Sequence, residues 1–197
     1  MWFAVLEEYL HAVYGSAQAD PCPFAETERA EFEAAEGAGE LLVYLPSGAT
    51  PAQLCERWRI RANIDFENEA MIQTRLKDES HWFRTSTSKT PELLHRSGIE
   101  AKRKYEGAGL HGFDLRRYLA FAAAFRHRFG ELPDQRYWCF LLSGSYDRSG
   151  ISVVGFNANG VLSHHGWMRN FRGKFTGSRY AMLAPVPQKL LSAQSVE

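Results

Sequence analysis

The stretch from Asp114 to Phe129 reads as one helix, and it sets the frame for everything around it. Leu115, Tyr118, Leu119, Ala122, Phe125 and Phe129 fall at offsets 0, 3, 4, 7, 10 and 14, the spacing of one apolar face on a 3.6-residue period. Asp114 stands where an N-cap belongs. Gly130 suits the left-handed residue that ends a helix, and Pro133 prevents its return. After Pro133 the pattern changes. Tyr137–Leu142, Ile151–Phe156 and Val161–His165 are short runs rich in β-formers. Asn157-Ala158-Asn159-Gly160 is a turn between two of them, and Asp147-Arg148-Ser149-Gly150 is another. These runs predict an antiparallel meander, to which Arg179–Leu183 adds a strand.

Upstream, the same reasoning predicts helices at 2–14 and 27–36, the second acidic and stopped by Gly37-Ala38-Gly39. Leu41–Leu45 reads as a buried strand that ends at Pro46-Ser47-Gly48. Thr50-Pro51 opens a helix, with Thr as N-cap and Pro in the first turn. Leu54, Trp58 and Arg61 share one face of it. A second helix is expected over Glu67–Lys77, a strand at His81–Arg84, a helix start at Thr90-Pro91-Glu92, and an exposed loop over 97–111, rich in Gly and Lys. The fold class that follows is α+β in a single domain, with helices in the first two thirds and the meander after them. The expected divisions are an acidic helical region at 1–40, a core at 41–184 and a loose tail at 185–197.

Composition excludes more than it selects. A chain of 197 residues with 45% hydrophobic and 13% aromatic residues has the material for a core and is not a disordered type. No run of apolar residues is long enough to span a membrane. Met1–Tyr14 carries Glu7 and Glu8 without an early base, the wrong sign for a secretory signal. Cys22, Cys55 and Cys139 form no C-x-x-C pair, which argues against a zinc site or a disulfide framework and makes the cytoplasm the expected compartment. The 23 bases balance the 23 acids overall. Their placement is uneven: residues 1–40 hold nine acids against Arg29, and residues 161–190 hold five bases and no acid.

The residue pair that calls for explanation is Arg116-Arg117. In the first turn of the helix they crowd an end that its free N–H groups already make positive, which costs roughly 0.3–1 kcal/mol each. An anion held between guanidiniums and amides would account for them. Gly112 would let the backbone approach a phosphate closely. His111 would flank that site as a general base, with Asp114 as a second candidate. The plainer alternative is that both arginines meet protein carboxylates or water.

A second candidate surface is Trp167–Tyr180. Trp167, Phe171, Phe175 and Tyr180 interleave there with Arg169, Arg172, Lys174 and Arg179. Cations that neutralise phosphates, together with rings that stack on bases, suit a nucleic acid; the alternative is a basic loop whose rings cap the core. His164-His165 would point to opposite faces of a strand and so cannot easily share a metal. The run Thr85-Ser86-Thr87-Ser88-Lys89-Thr90 lacks the glycines of a phosphate-binding Walker loop. No dense Asp/Glu constellation of the two-metal nuclease kind is present.

Gly112-Phe113-Asp114-Leu115-Arg116-Arg117-Tyr118, the helix, Gly130-Glu131-Leu132-Pro133 and the strand after it resemble the ParB/sulfiredoxin superfamily. Arg116 here follows Gly112 by four residues. In that superfamily a Gly-x-x-Arg-type motif at a helix N-terminus binds nucleotide phosphates. No sulfiredoxin cysteine occupies the loop, so sulfinic-acid reduction is not implied. Glu40–Pro46, His81–Ser88 and Leu142–Arg148 further resemble the plasmid-encoded fertility-inhibition proteins of the Osa type. The resemblance implies a protein that blocks transfer of a competing conjugative or T-DNA substrate, with ATPase and DNase activity and ATP as cofactor. It also implies a conjugation or type IV secretion component as partner. It places phosphate on Arg116 and Arg117, with Gly112 as the close-approach position. The alternative from another class is a non-catalytic adaptor that docks proteins on its acidic and basic faces.

Overall fold

Polar caps and glycines place the helices where the side chains permit them. The computed structural model describes residues 39–46, 48–66, 73–74, 81–145 and 150–183. The expected helices at 2–14 and 27–36, the 147–149 turn and the tail lie outside them. In chain order the described elements are β1 (Glu40–Leu45), α1 (Pro51–Arg57), β2 (Ala62–Asn63), β3 (Gln73–Thr74), β4 (His81–Ser86) and α2 (Gly98–Gly107). Next come β5 (His111–Gly112), α3 (Leu115–Phe129), β6 (Trp138–Leu141), β7 (Gly144–Ser145), β8 (Gly150–Phe156), β9 (Leu162–Met168), β10 (Thr176–Ser178) and β11 (Tyr180–Leu183). The class is α+β.

One sheet has the order β1-β4-β11-β5 and a second the order β10-β6-β8-β9-β2. In the first, β1 runs antiparallel to β4, with Val43 opposite Phe83. β11 runs antiparallel to both β4 and β5, with Met182 opposite Arg84 and Tyr180 opposite Gly112. In the second, β6, β8 and β9 form the expected meander, with Cys139 opposite Val154 and Val153 opposite His165. Its two outer strands are parallel additions: β10 beside β6 and β2 beside β9.

α3 lies between the layers. It is buried along its first eleven residues, Leu115–Phe125, on every face rather than on one. Ala120, Ala122, Ala123 and Ala124 make this possible, because small side chains let neighbours close in around a helix. Its capping follows expectation: Asp114 Oδ1 accepts from the Arg117 amide, and Gly130 ends the helix at φ 74°. Phe113, Phe121, Phe125 and Phe129 form a ladder of rings with centroids 5.7, 5.5 and 4.5 Å apart. Around α3 pack β1, α1 and the Cys139, Leu141, Val154, Phe156 and Leu162 side of the second sheet. The opposite side of that sheet carries Phe140, Ile151 and Val153, which meet Ala101 and Tyr105 of α2.

Four expectations need correction. Residues 97–111 are not a loop: 98–107 form α2, opened by a reciprocal capping box between Ser97 and Glu100. Only Ala101 and Tyr105, one turn apart, supply its apolar stripe, too little to register against so many charges. No helix starts at Thr90-Pro91-Glu92. Glu92 instead bridges Ser178, and Leu93 and His95 turn the chain through positive φ. Of the expected helix at 67–77, Gln73 and Thr74 are in a strand opposite Ser145 and Gly144, and its other residues lie outside those described. The strand after Arg179 forms, but it enters the first sheet between β4 and β5 instead of extending the meander.

Candidate functional site

The start of α3 gathers Asp114, Arg116 and Arg117, as the sequence leads one to expect, but it buries all three. Arg117 is 1% exposed. Asp114 Oδ1 accepts a hydrogen bond from the backbone amide of Arg117 at 2.8 Å. Burial pushes its carboxyl above the usual carboxylate range, against the pull of Arg117 and Arg116. Burial likewise lowers the proton affinity of Arg117, which Asp114 opposes. Arg116 donates through Nη2 to the Pro46 carbonyl at 2.7 Å, tying the helix start to the end of β1. Asp114 thus places a carboxylate of the protein's own at this helix start. Asp114 Oδ2 is buried and has no hydrogen-bond partner among the described residues.

The neighbours expected to complete a phosphate site do other work. A Cβ on Gly112 would lie 2.3 Å from Leu142 Cβ. The glycine thus admits a core leucine against β5 rather than a ligand. Its carbonyl accepts from Ser143 Oγ at 2.6 Å. His111 is exposed on β5, opposite Ala181 in the ladder.

Arg179 belongs to the core, not to the nucleic-acid surface that its neighbours in sequence suggest. It donates through Nε and Nη2 to the two carboxylate oxygens of Asp134, at 2.9 and 2.6 Å. Nη2 also donates to the Ser88 carbonyl at 2.8 Å. The guanidinium lies over the Phe121 ring at 4.3 Å. Burial alone would favour its neutral form, but Asp134 outweighs burial and the net shift is upward. The planar fork of Arg suits this bidentate geometry. Tyr118 and Cys139 share the site, and burial pushes both well above their ordinary values. This pair joins the β10–β11 link, the loop after α3 and the Ser88 turn. Sequence reasoning misses it because its partners are 45 residues apart.

Trp167 and Phe171 do assemble, whereas Tyr180 lies apart on β11 in the first sheet, its ring 5.8 Å from Tyr105. Trp138 on β6 reaches across β8 to β9, its ring 5.1 Å from His165 and 5.4 Å from Trp167. Phe171 extends the series at 4.6 Å from Trp167. Gly155 on β8 makes room: a Cβ there would lie 2.2 Å from the Tyr137 carbonyl oxygen and 3.4 Å from Trp138. Trp138 and Trp167 are half-buried, whereas Phe171 and Phe175 are 39% and 52% exposed. Arg169, Arg172 and Lys174 are exposed beside them. Lys174 sits 5.5 Å from the Phe175 ring, and Arg172 is bound to Glu100 at 2.6 Å. No acid occurs between Asp147 and Glu197, so this stretch of the chain carries no negative side chain of its own. Trp138 is a member that sequence reasoning misses, because strand order places it beside residues 165–171. His164 and His165 diverge as expected: His165 is exposed, and His164 is turned inward, where burial lowers its pKa to about 4.

Among the described residues no group of His, Cys, Asp and Glu could hold a metal, and no helix is long and apolar enough to cross a membrane. Cys55 and Cys139 are buried free thiols. No protein-family model, curated protein or solved structure matches the chain.

Proposed function

We propose that this protein binds DNA and through it restrains conjugative transfer, a fertility-inhibition role. One observation carries the DNA-binding part: the exposed cations Arg169, Arg172 and Lys174 interleave with the exposed rings Phe171 and Phe175 in the loop after β9, in a segment with no acid. Polyanion binding through such a surface is driven by counterion release and weakens steeply with salt. The transfer-blocking part, and a conjugation or type IV secretion component as protein partner, rest on the resemblance to the Osa type.

Fluorescence anisotropy with a labelled oligonucleotide tests the reading. Replacing both Arg169 and Lys174 by Ala is expected to weaken binding at every sequence. It should flatten the slope of log affinity against log salt by about 2, one for each phosphate no longer neutralised. Arg172 is held by Glu100, and Arg172→Ala alone is expected to weaken binding less than the double replacement. Affinity indifferent to salt would remove the electrostatic reading.

A second reading, nucleotide binding and hydrolysis at the start of α3, is favoured by Asp114. A carboxylate with raised proton affinity and an oxygen that accepts no hydrogen bond among the described residues has the chemistry of a general base. A phosphate entering there must compete with Asp114 for the helix amides. If ATP binds, a concentration of 100 times Kd is expected to stabilise the fold by about 2.7 kcal/mol. Arg116→Ala should abolish that shift. No stabilisation by any nucleotide, with or without magnesium, would eliminate this reading.

A further inference from the structure

We infer that the half-buried ring row on the α2 side of the second sheet, together with the exposed Phe171 in the loop after β9, stacks the bases of single-stranded DNA, a specialisation that rests on the DNA-binding reading above. Duplex DNA keeps its base planes inside the helix and offers phosphates and groove edges. Rings standing on a sheet can meet base planes only when the strand is unpaired. The rings here form a connected row, Trp138, Trp167 and Phe171, that crosses three strands and continues into the following loop. His165 lies against the same row.

Cations without rings would serve a duplex equally well, and rings without cations would suit an apolar protein partner. The combination favours an unpaired polyanion. Arg169 directly follows the 71% exposed Met168, and Lys174 lies against Phe175 at the other end of the loop. Positive charge therefore lies at both ends of the loop that carries Phe171. Glu100, the acid that reaches toward this loop, is held by Arg172 and by the Ser97 cap. Stacking reads no base edge, so a strand of any sequence is accepted.

The test uses the full chain, a labelled oligothymidylate of about ten nucleotides, within the usual site size for such surfaces, and a hairpin duplex of equal length. Tryptophan fluorescence and anisotropy are followed together. The single strand is expected to bind at least about tenfold more tightly and to quench tryptophan emission, as ring–base stacking requires. Phe171→Leu keeps an apolar side chain at a partly exposed site, so the fold is preserved. It is expected to weaken single-strand binding by about five- to tenfold and leave duplex binding unchanged. Duplex bound as well as or better than the single strand, with Phe171→Leu silent, overturns the stacking inference and leaves the DNA reading intact. Neither probe binding overturns both.

Discussion

Asp134→Ala is expected to lower folding stability by about 3–5 kcal/mol, the cost of leaving a buried charge without its partner. The charge left behind is Arg179, which is 1% exposed. It would keep the Ser88 carbonyl and the Phe121 ring but lose both carboxylate oxygens. A second cost arises at the backbone. Asp134 has φ 51°, a left-handed conformation that Asp and Asn tolerate better than Ala. Asp134→Asn removes the charge and keeps that tolerance, so it should fall between Ala and the natural residue. The loss is a large share of the about 5–15 kcal/mol that stabilises a typical domain. Urea unfolding of Asp134→Ala, Arg179→Met and the double variant measures it. The double variant should be less destabilised than the sum of the singles, because it buries no orphaned charge. Strict additivity, or a loss below about 1 kcal/mol, would mean that the pair does not hold these three segments together.

The same pair marks where a one-dimensional reading reaches its limit. Arg179 stands near Arg169, Arg172 and Lys174 along the chain, and with them it looks like part of one basic surface. The turn into β11 instead carries it inward to Asp134, on a loop shaped by Gly130 and Pro133. Helix α3 is legible because its punctuation is local: Asp114, Gly130 and Pro133 act within a few residues of their own positions. α2 is not, because its packing needs only Ala101 and Tyr105 and the rest of its surface is charged. The three-stranded meander follows from alternation and turns, whereas the parallel additions β2 and β10 come from chain segments that no local pattern links to β9 and β6. At the start of α3 the sequence marks the place where Asp114, Arg116 and Arg117 meet, but not that all three are buried there. Nor does it say that Arg116 donates to the Pro46 carbonyl, 70 residues away.

Gly155→Ala carries the second large effect, and it links stability to the proposed surface. The added methyl would meet the Tyr137 carbonyl oxygen at 2.2 Å. A main-chain atom in the segment entering β6 cannot rotate aside as a side-chain tip can. The cost should therefore reach or exceed the upper end of the roughly 1–3 kcal/mol seen for overpacking. Gly107→Ala is the control: nothing lies within 4 Å of a Cβ at this last residue of α2, so alanine there should be neutral or stabilise by up to about 1 kcal/mol. Relief of the clash requires β6 to lift from β8, and Trp138 moves with it. Below its lowered melting temperature the Gly155→Ala protein should thus show altered tryptophan emission and weaker single-strand binding, although residue 155 offers no group to DNA. A variant that melts with the natural protein would place Tyr137 farther from β8 than the ladder requires. A variant that melts early yet binds normally would separate the Trp138 position from recognition, and would leave Trp167 and Phe171 to account for stacking by themselves.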